Sequence, residues 1–93
     1  MNVSHQTELQ EDVAVLEDVA LQRRLILHND SVNTFDWVIQ TLVDVCNHTW
    51  EQAEQCSLII HNRGKCAVKH GGFELLKPMK DEISERGINV TIE

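Results

Sequence analysis

The run Leu25-Ile26-Leu27-His28-Asn29-Asp30-Ser31 constrains this chain more than any other. Three consecutive large aliphatic residues form the pattern of a short, well-covered strand, here Arg24 to His28. Asn-Asp-Ser cannot prolong it, because these side chains bond nearby backbone and favour turns. Thr34 then stands where a helix N-cap is needed, and the spacing predicts a first helix from Phe35 to Cys46. Val38, Leu42, Val45 and Cys46 fall on one of its faces.

Asn47-His48 breaks that helix. Thr49-Trp50-Glu51-Gln52 has the form of a capping box and opens a second helix. Its inward residues are expected to be Ala53, Cys56 and Ile60, with Leu58 and Ile59 beside them. Gly64 is the expected left-handed stop, with Arg63 suited to the last turn. Lys65 to His70 alternates as a strand, with Cys66 and Val68 on one face. After Gly71-Gly72 a third helix runs from Phe73 to Arg86, with Leu75, Leu76, Met79 and Ile83 as its apolar face. Pro78 either starts its regular part or kinks it. Gly87 ends it. Ile88, Val90 and Ile92 alternate in a last strand. The order β-α-α-β-α-β implies a single small α+β domain, one three-stranded antiparallel sheet packed on helices.

Composition places this domain at residues 23–93, behind an acidic extension at 1–22. The extension holds Glu8, Glu11, Asp12, Glu17 and Asp18 with no Lys or Arg, a charge of −5 against −7 for the chain. It carries no aromatic, Gly or Pro residue, as expected of a flexible arm. So acidic a chain does not suit nucleic acid, which requires a basic surface, but does suit a partner with a basic groove. No stretch is long enough to span a bilayer, and Met1 is followed by polar and acidic residues rather than a basic and then apolar leader. The three cysteines, Cys46, Cys56 and Cys66, are odd in number and lie in apolar patterns, as reduced core residues do. A reducing, cytoplasmic location is the expectation.

Taken singly, the chemistry-bearing residues are unremarkable. His61 near Gly64 reads as a helix-end residue, and Asn29-Asp30 as a turn. Trp37 and Trp50 read as helix-pair packing or as half-exposed residues. No CxxC, HxH or HExxH spacing supports a metal, and helical core cysteines lack the electropositive setting of a nucleophile. Gly71-Gly72 is not followed by the Lys-Ser/Thr of a phosphate loop. No cofactor is expected. The short linker between the first two helices makes them an antiparallel pair, which can bring Asn29-Asp30 and His61 together.

Leu25-Ile26-Leu27-His28-Asn29-Asp30, Asp36-Trp37-Val38 and Ile60-His61-Asn62-Arg63-Gly64-Lys65 together resemble the ATP-dependent Clp protease adaptor family ClpS, over roughly residues 23–93. The resemblance implies the fold of a ribosomal stalk protein's C-terminal domain. It also implies an adaptor, not an enzyme, that binds proteins beginning with unblocked Leu, Phe, Tyr or Trp. Such an adaptor hands these N-degron substrates to a Clp-family AAA+ unfoldase of the ClpA or ClpC type. By the same resemblance Asn29, Asp30, Ser31 and His61 bind the substrate α-amine. Phe35, Val38, Ser57, Ile60, Ile88 and Asn33 form the hydrophobic pocket. Glu74 and Lys77 contact the unfoldase. A monomer suffices.

This chain departs from the family pattern at several positions. Ser31 replaces an Asp, which weakens the amine site electrostatically. Ser57 stands where a Met often lines the pocket, leaving more room and adding a hydroxyl. Phe35 takes a rim position usually held by Met, and Asn33-Thr34 replaces Thr-Pro. The competing readings are a stalk-like interaction domain indifferent to N-terminal identity, and a small metal-dependent enzyme.

Overall fold

The computed structural model describes residues 21–93. Residues 1–20 of the expected acidic extension lie outside the described residues. The element order is β1 (Arg23–His28), α1 (Phe35–Cys46), α2 (Trp50–Arg63), β2 (Lys65–Gly71), α3 (Phe73–Glu85) and β3 (Val90–Ile92). The strands form one sheet in the order β2-β1-β3, antiparallel throughout. The expected α+β class and element order are the observed ones.

β1 is the central strand, which explains its unbroken aliphatic run. Leu25 and Leu27 enter the core with Ile39, Leu42, Leu76 and Ile83. Ile26 is buried as well, on the opposite face by the strand's period of two, between its cross-strand neighbours Ala67 and Thr91. Opposite Leu25 and Ile26 the register of β2 steps from Lys69 to Ala67, so Val68 is the extra residue of a bulge. Val68 turns into the core.

The helix ends follow the expected chemistry. Thr34 Oγ1 accepts from the Trp37 amide at 3.1 Å, and Thr49 Oγ1 accepts from the Gln52 amide at 3.1 Å. Asn47 closes α1 at φ 60° and Gly64 closes α2 at φ 94°. Buried His48, in the break between them, bonds the Val68 carbonyl through Nε2 at 2.7 Å. A carbonyl only accepts, so Nε2 carries the proton. α3 continues through Pro78, whose missing N–H leaves the Glu74 carbonyl without its helical donor.

Three inward assignments are corrected. Leu58 and Ile59 are each 40 % exposed. α2 buries Ala53, Ser57 and Ile60 instead, an i, i+4, i+7 stripe that turns its two neighbours outward. Leu75 is 49 % exposed, because Leu76 and Ile83 occupy the core side of α3. Leu75 lies over Gly71, where an added Cβ would meet its Cδ2 at 2.7 Å.

Candidate functional site

The exit of β1 meets the end of α2. The Asn29 amide donates to the Gly64 carbonyl at 2.8 Å, and the Gly64 amide closes back on Ile60 O at 2.9 Å. This joint sets Asn29 beside the last turn of α2, which carries His61. Between the joint and the start of α1 lies a cavity of about 380 Å³.

Three segments line it. Asn29, Asp30, Ser31 and Asn33 come from the β1–α1 loop, Thr34, Phe35 and Val38 from the start of α1, and Ser57, Ile60 and His61 from α2. Sequence spacing had separated these residues by up to about thirty positions. Every residue expected in the amine group lines this cavity, and so do five of the six expected in the hydrophobic pocket. The exception is Ile88, which is 4 % exposed and belongs to the core cluster. Its amide bonds Ile83 O at 3.3 Å, tying the residue to the end of α3. Thr34 was expected only as a cap. Its place between Asn33 and Phe35, both expected in the pocket, was the available signal. Glu74 and Lys77 lie outside the cavity, exposed on α3, and Lys77 pairs with Asp81 one turn on.

The loop is held by Asp30. Its Oδ1 accepts from the amides of Val32 at 2.8 Å and Asn33 at 2.7 Å, and its Oδ2 from the Asn33 side chain at 2.7 Å. These bonds, led by the Asn33 amide, hold the carboxyl below its ordinary value of 3.8. The Asn33 side chain also donates to Gly87 O at 2.9 Å, anchoring the loop to the turn after α3. One helical turn on, Trp37 Nε1 donates to Arg86 O at 3.0 Å, with the Arg86 guanidinium 5.4 Å from the ring centroid. Arg86 is itself held by Asp44 at 3.0 Å.

The wall therefore has a polar and an apolar part. Asn29 and His61 are exposed polar residues, with the Asp30 carboxylate beside them. The last turn of α2 adds the partial negative charge of a helix C-terminus. Val38 and Ile60 are aliphatic, and Phe35 is half-exposed. Such a cavity suits a small cationic group joined to an apolar one. Among the described residues no three His, Cys, Asp or Glu side chains come together as a metal-holding group. No helix among them is long and apolar enough to cross a membrane.

The comparisons agree with this architecture. A family model described as ATP-dependent Clp protease adaptor protein ClpS matches residues 20–91. The ATP-dependent Clp protease adapter protein ClpS of Nitratidesulfovibrio vulgaris is 41 % identical over 61 residues, covering 61 % of this chain and 59 % of that protein. Its counterpart in Wolinella succinogenes is 32 % identical over 65 residues, covering 68 % of this chain and 62 % of that one. The chain thus spans about three fifths of the length of these relatives. The structure of Agrobacterium tumefaciens ClpS2 bound to L-phenylalaninamide superposes with a TM-score of 0.68 at 19 % identity, covering 77 % of this chain and 94 % of that one.

Proposed function

This chain belongs to the ClpS family of ATP-dependent Clp protease adaptors, and from that premise we propose that its cavity captures unblocked N-termini that begin with Leu, Phe, Tyr or Trp. The observation that carries the reading is the meeting of Asn29 and His61 with Val38 and Ile60 around one cavity. A free α-amine is a cation with three N–H donors and needs acceptors in a confined space. The Asn29 side-chain oxygen and a neutral His61 ring nitrogen supply two, and the Ser31 hydroxyl a third. Asp30 contributes charge from the loop it organises. The first side chain enters between Val38 and Ile60, with Phe35 at the rim refusing β-branched residues.

Acetylation removes the charge and adds an acyl group, leaving buried acceptors unpaired. The bound protein is then passed to a Clp AAA+ ATPase of the ClpA or ClpC type. Glu74 and Lys77 belong to the docking face, and the acidic extension at residues 1–22 assists delivery beside the core at 23–93. The adaptor itself performs no catalysis. A similar ligand in the ClpS2 structure, an amino acid amide, supports this assignment.

The test is fluorescence anisotropy with peptides differing only at residue one. Leu, Phe, Tyr and Trp should bind at micromolar concentration or tighter, and Val should not. Binding indifferent to the first residue would favour the stalk-like interaction domain instead.

A further inference from the structure

Three buried side-chain polar atoms among the described residues have no hydrogen-bond partner: Thr41 Oγ1, His48 Nδ1 and Ser57 Oγ. Of these residues, only Ser57 lines the cavity. It is 2 % exposed. A serine inside a helix commonly bonds back to the carbonyl four residues earlier, here Ala53, but this hydroxyl makes no such bond. A donor and two lone pairs therefore stand unused in a side chain that lines the cavity.

Ser57 and His61 are one turn apart on the same face of α2, a rise of roughly 6 Å. On the reading given above, the ammonium sits at the His61 end and the first side chain enters between Val38 and Ile60, in the cavity whose wall also includes Ser57. We propose that Ser57 Oγ is a specificity determinant that hydrogen-bonds a polar group at the far end of that side chain, selecting a tyrosine hydroxyl over the bare ring of phenylalanine. Leu and Phe bring only C–H groups to that end and leave the serine unpaired. Tyr satisfies the serine and its own hydroxyl in one bond. In an all-apolar slot the preference reverses, because the tyrosine hydroxyl would then be stripped of water without a partner.

The test is titration of two peptides, identical except for Tyr or Phe at residue one, against the wild-type chain and Ser57→Ala, with circular dichroism to verify the variant's fold. The wild type should bind the Tyr peptide about tenfold more tightly. Ser57→Ala should abolish or reverse that ratio, read as the change in Tyr affinity relative to Phe. Equal affinities unaffected by the substitution would overturn the proposal, placing the hydroxyl on a water or on Ala53 O. Equal losses for both peptides would also overturn it, as the mark of a structural role. Failure of the wild type to bind either peptide would instead remove the underlying N-terminal reading, and this inference with it.

Discussion

The Asn29 amide is bonded to the Gly64 carbonyl at 2.8 Å, and this one bond joins the strand exit and the helix end that carry the amine-binding candidates. Gly64 holds φ 94°, a region costly for any residue with a Cβ. No atom lies within 4 Å of an added Cβ there, so the cost of a substitution is backbone strain alone. Gly64→Ala should destabilise the fold by about 1–2 kcal/mol in urea denaturation and also weaken peptide binding. Gly71→Ala is the contrast. It meets only the movable tip of Leu75 and should cost less than about 0.5 kcal/mol.

Asn29→Ala and His61→Ala remove acceptors from a buried cation in the proposed complex. Each should weaken binding of a Phe-starting peptide by about 2 kcal/mol, read by calorimetric titration. Both residues are exposed in the free protein, so thermal stability should change little. Wild-type affinity in both variants would sink the assignment.

Asp30 gives an acid-side signature. Its folded pKa lies below 3.8, so its contribution to loop order is complete above the unfolded value and lost as pH falls through the folded one. The amide resonances of Val32 and Asn33 should hold steady from pH 8 to 5 and titrate together with a midpoint under 3.8. A midpoint above 3.8 would contradict the role of Asp30 as loop organiser.

Burial pushes the thiols of Cys46 and Cys56 from 9.0 up to about 11, with neighbouring Cys66 adding to the effect at Cys56. Both should resist iodoacetamide at pH 8 in the folded protein and react on unfolding, as mass spectrometry would show. The sign on stability follows. A folded value above the unfolded one favours the fold fully below pH 9 and loses that contribution as pH rises through about 11.

Much of this fold is legible from turn and cap chemistry. Asn29-Asp30, Thr34, Asn47, Thr49, Gly64 and Gly87 mark element ends by mechanisms that act over a few residues. Facing is harder to read. α2 has apolar residues on several sides, and nothing local reveals that small Ser57 belongs inside while Leu58 and Ile59 turn out. Ile88 alternates correctly as an inward residue, but alternation does not distinguish core from cavity wall. The resemblance groups nine of the ten residues that line the cavity, and Thr34 is the one it leaves out. The bonds of Asp30 to Val32 and Asn33 are local, but the anchoring of the loop by Asn33 depends on Gly87, distant in sequence, and appears only once the chain is folded.

The most direct test of the central claim is calorimetric titration of a Phe-starting peptide, free and acetylated, against the full chain. The account predicts micromolar or tighter binding of the free peptide and a loss of about 30-fold or more on acetylation. Equal affinity for the two would contradict it, because no cation would then be held at Asn29 and His61.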